Sequence, residues 1–249
     1  MLSTIIKFGI IAIAFIFIAI LIIKRFCYFR PSYEFMEPIA NYEDIREGNV
    51  HAWFLAGQNG KVVLFCHGNA GNISNRQNKV TSLNKMGYSV LIFDYRGFGQ
   101  SKGVPCEDSC YRDACVYTDV LIKKAGRENI ICYGESLGAA VAAHVALKYN
   151  IGILIIESGL PSIQQFIKSK MVVLGILGFL FPEFNTVNYL KTYKGRVLML
   201  HCLHDEIVSW DSTEEMRGLV KTVIEMEGNH NNPNIPWEKI NEFIKMNSN

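Results

Sequence analysis

The sequence has no excess of charge of either sign, since 25 lysine and arginine residues face 23 aspartate and glutamate residues and leave a formal net charge of +2. It also has no basic cluster interleaved with aromatic residues, so we expect no nucleic-acid partner. Internal repeats and low-complexity tracts are absent as well. The 249 residues therefore suit one α/β domain with a short extension, and they can bury a large core.

The seven cysteines form no Cys-x-x-Cys pair, which argues against a structural zinc site. Cys66, Cys132 and Cys202 end apolar runs, where cysteine commonly serves as a small buried hydrophobe. We expect free thiols in a reducing compartment rather than a disulfide framework. The segment His201–Asp205 lacks a third well-spaced metal ligand, so the sequence predicts neither a metal nor a cofactor.

The longest uncharged stretch covers residues 8–23. Together with the residues before it, of which Lys7 can snorkel, it spans about 19 residues, enough to cross a bilayer as a helix. A cleaved signal peptide is the alternative, but the run is long for such a segment and no small-x-small site precedes Lys24-Arg25. We predict that residues 1–32 form a transmembrane anchor with its juxtamembrane segment, and that residues 33–249 form the domain.

Positive charge is biased toward the C-terminal side of this apolar run. Lys24, Arg25 and Arg30 follow it, whereas only Lys7 and the amino terminus precede it. Because the cytoplasmic flanks of membrane spans are enriched in lysine and arginine, the bias predicts a single-pass membrane protein whose domain lies on the cytoplasmic side.

Beyond the predicted anchor, continuous apolar runs alternate with helical segments. Two short runs, around Tyr33–Met36 and Val50–Ala56, are predicted as leading antiparallel strands. Uninterrupted apolar strands separated by helices are typical of a mostly parallel sheet with helices on both faces, so the predicted fold class is α/β. Further strands are predicted at Lys61–Cys66, Ser89–Phe93, before Gly134, and at Gly152–Ile156, Arg196–Leu200 and Thr222–Met226.

The segment Gly134-Glu135-Ser136-Leu137-Gly138 follows an apolar strand and opens an alanine-rich helix. A Gly-x-Ser-x-Gly turn holds its serine in a strained conformation, and the glycines let strand and helix pass closely. Ser136 is therefore the candidate nucleophile. The Leu137 N–H and the helix dipole can stabilise an oxyanion. A second donor is expected after the strand at 61–66, with the Asn69 N–H predicted and Ala70 as the alternative.

A serine hydroxyl is a weak nucleophile at neutral pH and needs a base that a carboxylate orients. His230 lies in a polar loop just after the last predicted strand and is the predicted base, with His204 as the alternative. Asp205 follows the strand at 196–200 and is the predicted acid, with Glu206 as the alternative. Nucleophile-elbow hydrolases carry their triads in the same order, Ser, then Asp, then His.

Five segments within residues 60–232 resemble the α/β-hydrolase family and, within it, the Bem46-like, ABHD-type membrane-anchored serine hydrolases. The resemblance implies an α/β-hydrolase fold and hydrolysis through an acyl-enzyme. Relatives of this type include esterases, lipases acting on monoacylglycerols or lysophospholipids, and protein depalmitoylases. A small-molecule, lipid or acylated-protein substrate is therefore expected. The matching segments are His67–Asn72, Asp94–Gly103, Gly134–Gly138, Asp205–Val208 and Gly228–Asn231.

An insertion of about residues 158–194 occupies the position of the lid in this family, and its segment Met171–Pro182 is strongly apolar. This segment is either a short cap helix buried on the domain or an apolar lid that lines an acyl pocket or touches the membrane. We expect a membrane-anchored hydrolase of esters or thioesters. A serine peptidase on the same fold and a non-catalytic scaffold are the alternatives.

Overall fold

The structure is a computed structural model that describes residues 7–11, 15, 29–170 and 182–248, with the backbone alone for residues 167–170. Its strands are β1 (Arg30–Pro31), β2 (Glu43–Glu47), β3 (Val50–Leu55), β4 (Val62–Cys66), β5 (Ala70–Gly71), β6 (Ser89–Phe93), β7 (Ile130–Glu135), β8 (Ile153–Glu157), β9 (Arg196–Cys202) and β10 (Thr222–Met226). Its α-helices are α1 (Gln77–Lys85), α2 (Glu107–Ala125), α3 (Gly138–Lys148), α4 (Ile163–Lys170), α5 (Thr186–Thr192), α6 (Glu214–Leu219) and α7 (Trp237–Asn247).

One sheet carries most of the strands, in the order β10-β9-β8-β7-β4-β6-β3-β2. The strands from β10 to β6 are parallel, whereas β3 pairs antiparallel with both β6 and β2. The prediction of a mostly parallel sheet is therefore confirmed. Because parallel strands end at the same edge, the loops after β4, β7, β9 and β10 meet there.

Two apolar layers bury the two faces of this sheet. One layer packs β-strand side chains against α2, α3 and α5, and the other packs them against α1 and α7. Strands β4 and β8 are buried along their whole length. This double burial explains why their sequences are continuously apolar rather than alternating.

The predicted strand at Tyr33–Met36 is wrong, because β2 at Glu43–Glu47 is the antiparallel partner of β3. Residues 32–42 have no regular secondary structure. Side chains satisfy backbone groups of this segment instead of a ladder, since Ser74 Oγ accepts from the Met36 N–H at 2.9 Å.

Much of the predicted anchor at residues 8–23 and residues 171–181 of the apolar insertion lie outside the described residues. In the part of the chain that the structure describes, no helix is both long and apolar enough to cross a bilayer. The described parts of the insertion include α4 and α5.

Candidate active site

The Gly-x-Ser-x-Gly segment forms a sharp turn between β7 and α3. Ser136 has a φ of +53°, a left-handed conformation that a non-glycine residue rarely adopts. A Cβ on Gly134 would lie 2.5 Å from the Ala139 Cα, and one on Gly138 would collide with the Cys66 carbonyl. The glycines are therefore required for the close passage of strand and helix, and the Ser136 N–H donates to the Glu157 carbonyl at 2.8 Å.

The structure brings Ser136, His230 and Asp205 together, although 94 residues separate the serine from the histidine. The Ser136 Oγ lies 3.0 Å from the His230 Nε2. The other ring nitrogen, Nδ1, lies 2.8 Å from the Asp205 Oδ2. The three side chains thus form an unbroken hydrogen-bonded chain at the edge of the sheet where the loops meet.

The Asp205 carboxylate is oriented by the turn that follows β9. Its Oδ1 accepts the N–H groups of Ile207 at 3.0 Å and Val208 at 2.7 Å. Burial alone would raise the pKa of Asp205, but the hydrogen bond and charge of His230 and the Val208 N–H outweigh it and leave the pKa below its usual range. Asp205 is therefore ionised at neutral pH and can orient the imidazole.

The alternative base and acid lie elsewhere in the same loops. His204 is exposed, and within the described chain its ring has no hydrogen bond to Ser136. Glu206 contacts the histidine loop but not the ring: its Oε2 accepts the His230 backbone N–H at 3.1 Å. Glu206 therefore holds the loop, and the carboxylate that faces the imidazole belongs to Asp205.

The predicted oxyanion donors lie on two elements beside the serine. Leu137 precedes the first turn of α3, and its N–H has no acceptor among the described residues. The Asn69 N–H belongs to the same peptide as the Gly68 carbonyl, which accepts from the His67 Nδ1 at 2.7 Å. Because that peptide is planar and trans, the bond to its carbonyl fixes the direction of the Asn69 N–H.

His67 is fully buried beneath this loop. Burial, with the nearby charge of Arg76, lowers its pKa to about 4, so the ring is neutral at neutral pH. The neutral ring can carry its proton on Nδ1, while its Nε2 has no partner within the described chain. The Tyr95 hydroxyl donates to the His67 carbonyl at 2.9 Å and fixes the end of β4.

Sequence reasoning missed a cluster of buried charges beside the elbow. Glu135 accepts from the Arg76 Nη2 at 2.8 Å and from the Lys79 Nζ at 3.0 Å. Lys79 also binds Glu157 at 2.5 Å, and Glu157 accepts from the Tyr133 hydroxyl at 2.6 Å. Burial alone would raise the pKa of Glu135, but the charges of Arg76 and Lys79 hold it far below its usual range.

Arg76 joins two parts of the site. It pairs with Glu135, the residue before the nucleophile, and its Nη1 donates to the Ala70 carbonyl at 2.6 Å. No local pattern could have indicated the pairing with Glu135, because Arg76 and Glu135 are 59 residues apart.

A cavity of about 840 Å³ opens beside Ser136 and His230. Its lining combines apolar side chains with polar and charged ones. The apolar side chains are Leu160, Ile163, Phe166 and Ile207, and the polar and charged ones include Arg30, Ser32, Asn69, Asn75, Arg76, Lys79, Glu135 and Asn231.

Potential metal ligands do not cluster in the described residues: no group of three or more His, Cys, Asp or Glu side chains there could hold an ion. His201 lies near Asp205, but its Nε2 is 2.7 Å from the Val208 carbonyl. The six cysteines in the described ranges are free thiols.

This fold and arrangement are those of an α/β hydrolase, and comparison with known proteins agrees. The model of a hydrolase family described as serine aminopeptidase, S33, matches residues 57–196. The chain belongs to this α/β-hydrolase family.

Relatives and solved structures extend the comparison. A protein of Mycobacterium tuberculosis is 29% identical over 180 residues, which are 72% of this chain and 64% of that protein. The α/β hydrolase domain-containing protein WAV2 of Arabidopsis thaliana is 32% identical over 194 residues, which are 67% of this chain and 63% of WAV2. The chain thus spans a little less than two thirds of the length of these relatives. An esterase of Pyrococcus furiosus superposes with a TM-score of 0.72 at 20% identity, covering 89% of this chain and 99% of the esterase.

Proposed function

We propose that this protein is a membrane-anchored serine hydrolase of the Bem46-like, ABHD-type group that cleaves carboxylic esters or thioesters through an acyl-enzyme. One observation carries the proposal: the Ser136 Oγ lies 3.0 Å from the His230 Nε2, and the His230 Nδ1 lies 2.8 Å from the Asp205 Oδ2. Both distances allow hydrogen bonds, as a serine nucleophile, its base and the orienting acid require.

The chemistry follows from this arrangement. The Ser136 Oγ attacks the substrate carbonyl carbon while its proton passes to the His230 Nε2, and Asp205 stabilises the resulting imidazolium. The N–H groups of Leu137 and Asn69 stabilise the oxyanion. The tetrahedral intermediate collapses to an acyl-enzyme as His230 returns the proton to the departing alcohol or thiol. A water molecule, deprotonated by His230, then attacks the acyl carbon. The acid leaves as His230 returns the proton to the Ser136 Oγ.

The lining of the cavity supports an acylated substrate. Its apolar side chains, Leu160, Ile163, Phe166 and Ile207, suit an acyl chain. The apolar segment 171–181 follows α4 in the sequence, and the predicted anchor at residues 8–23 would hold the cavity near a bilayer. A lipid or an acylated protein is therefore the proposed substrate, with the domain on the cytoplasmic side of the membrane.

A peptidase is the second candidate, because the matched family is described as serine aminopeptidase. An aminopeptidase needs an anionic group to bind the free amino terminus of its substrate. Among the described residues that line the cavity, Glu135 is the acidic one, and Arg76 and Lys79 already neutralise it. The charges of the cavity therefore favour an acyl ester over a cationic peptide end.

Labelling with a fluorophosphonate probe tests the serine chemistry. The parent protein should label, and Ser136→Ala should not, while its far-UV circular dichroism stays that of the parent. Hydrolysis should fall at least about 10⁴-fold in Ser136→Ala. A folded parent protein that neither labels nor hydrolyses any ester would overturn the proposal in favour of a scaffold.

A series of p-nitrophenyl esters and acyl thioesters, from acetyl to palmitoyl, tests the substrate class. We expect kcat/KM to rise with chain length beyond acetyl. Activity confined to acetyl would remove the lipid assignment, and cleavage of aminoacyl anilides without ester turnover would select the peptidase. Retention of the full chain in membranes after alkaline carbonate extraction tests the anchor.

A further inference from the structure

The loop after β4, residues 67–72, carries the predicted oxyanion donor Asn69 and is called the oxyanion loop. Three of its consecutive carbonyls are held by hydrogen bonds. The Asn69 carbonyl accepts from the Arg30 N–H at 3.2 Å, and the Gly71 carbonyl accepts from the Ser32 N–H at 3.1 Å. The Ala70 carbonyl points the other way and accepts from the Arg76 guanidinium. β1 and β5 pair in parallel, with Arg30 opposite Ala70.

Fixing these carbonyls also fixes the neighbouring N–H groups. Each carbonyl shares a planar trans peptide with the N–H of the next residue, so the two point in opposite directions. The Arg30 contact therefore sets the direction of the Ala70 N–H, the alternative oxyanion donor, and the Ser32 contact sets that of the Asn72 N–H. Segment Arg30–Ser32 thus holds the Asn69–Ala70 and Gly71–Asn72 peptides of the loop that carries the predicted donor Asn69.

The segment is itself held firmly against the domain. Phe29, which is 4% exposed, lies edge-on to Phe98 and Phe184 with ring centroids 6.0 and 6.2 Å away. The Asn72 Nδ2 donates to the Ser32 carbonyl at 3.0 Å and to the Glu34 carbonyl at 2.7 Å. A segment pinned at both ends can position the loop that it pairs with.

The position of Pro31 in this segment is compatible with the pairing of β1 and β5. Alternate N–H groups of a strand point to opposite sides, so the residue between Arg30 and Ser32 faces away from β5. Pro31 occupies that position, where an N–H is not needed for the pairing.

We propose that Arg30–Ser32 is a positioning strand for the oxyanion loop, an inference that rests on the proposed function. The residues that lead out of the predicted anchor are then part of the active site, although none of them takes part in the chemistry. Their backbone N–H groups hold the Asn69–Ala70 and Gly71–Asn72 peptides and through them the position of the loop, so they affect the transition state more than substrate binding.

Removing a single backbone N–H from the full-length chain in detergent tests this role. Ser32→Pro deletes the donor to the Gly71 carbonyl. Tyr33→Pro is the matched control, because the Tyr33 N–H makes no hydrogen bond within the described residues. Ser32→Ala removes the hydroxyl but keeps the N–H.

We expect Ser32→Pro to lower kcat for a p-nitrophenyl ester about 10- to 100-fold while KM changes less than about twofold, because a misplaced oxyanion donor acts on the transition state. Tyr33→Pro should lose less than about threefold. Ser32→Ala lacks only a hydroxyl that lines the cavity, and it should lose less than Ser32→Pro. Equal losses in the two proline variants, or a loss confined to KM, would overturn the proposal.

Hydrogen exchange of residues 67–72 provides a readout that does not need activity. Exchange there should be faster in Ser32→Pro than in Tyr33→Pro, and equal rates would overturn the positioning role. A parent protein without ester turnover would instead defeat the proposed function alone. If Ser32→Pro does not fold, Asn72→Asp replaces it. This variant keeps the acceptor for the Ser74 N–H and loses the donors to Ser32 and Glu34, and faster exchange with lower kcat is again expected.

Discussion

The two sides of the candidate active site are held in different ways. On the triad side, Ser136, Asp205 and His230 contact one another, and each lies just after a strand of the sheet. On the oxyanion side, the loop after β4 is held by the sequence-distant segment at 30–32 and by two nearby residues, Arg76 and the buried ring of His67. Arg76 is in turn paired with Glu135, 59 residues away. The loop therefore depends partly on groups that lie outside its own motif.

The difference also concerns charge. On the triad side, the buried carboxylate of Asp205 accepts the backbone N–H groups of Ile207 and Val208. The oxyanion side carries Arg76, Lys79, Glu135 and Glu157 in one network. Removing one member of a buried ion pair leaves an uncompensated charge, so variants of this side should lose stability together with activity.

The largest expected effect is a difference in kcat between amide variants of the two carboxylates near His230. Asp205→Asn should lower kcat about 10⁴-fold, because the amide no longer selects the productive imidazole tautomer. Glu206→Gln should lose less than about tenfold, since Glu206 accepts only the His230 backbone N–H. Steady-state kinetics with a p-nitrophenyl ester measure both. Comparable losses would show that the ring is oriented by Glu206 as much as by Asp205.

Variants of Arg76 and Lys79 test which contact supports the oxyanion side. Arg76→Met and Lys79→Met each remove one partner of Glu135, but only Arg76 touches the loop carbonyl at Ala70. We expect both to lower the free energy of unfolding by about 3 kcal/mol. Only Arg76→Met should lower kcat by about 10- to 100-fold beyond the change in folded fraction.

Urea unfolding and single-turnover acylation, measured on the same preparations, separate these effects. A kcat loss in Lys79→Met as large as that in Arg76→Met would mean that the charge network, not the contact to Ala70, supports the loop.

The smallest expected effect concerns His67 and pH. Its pKa is about 4 in the fold and near the usual 6.5 when the chain unfolds, so the unfolded state binds more protons between these values. Stability should therefore fall as pH drops from about 6.5 toward 4. The contribution lost between pH 7 and 4.5 is about 2 kcal/mol.

A His67→Gln variant serves as the reference for this measurement. Asp205, whose pKa is lowered in the fold, loses its own contribution in the same direction at still lower pH and is common to both proteins. Urea unfolding at pH 7 and 4.5 should show a steeper decline for the parent than for His67→Gln. Parallel declines would mean that the ring takes up a proton without disturbing the loop.

Much of the fold could be predicted from the sequence because each piece is encoded by near neighbours. Continuous apolar runs predicted the parallel strands, and the predicted strand Thr222–Met226 matches β10 residue for residue. The strand predicted at Tyr33–Met36 is wrong, because the backbone groups of Glu34 and Met36 bind the side chains of Asn72 and Ser74 instead of a neighbouring strand. Nothing within that segment indicates these partners.

The sequence by itself determined the elbow, its strained serine and the order in which nucleophile, acid and base follow one another. Glycine spacing and strand ends are local properties, so a linear pattern records them. Only the tertiary structure decided what holds the oxyanion loop, because Asn72 meets Ser32 across 40 residues and Arg76 meets Glu135 across 59. Such hydrogen bonds depend on how the packed layers bring distant groups together, and that packing leaves no periodic signal in the chain.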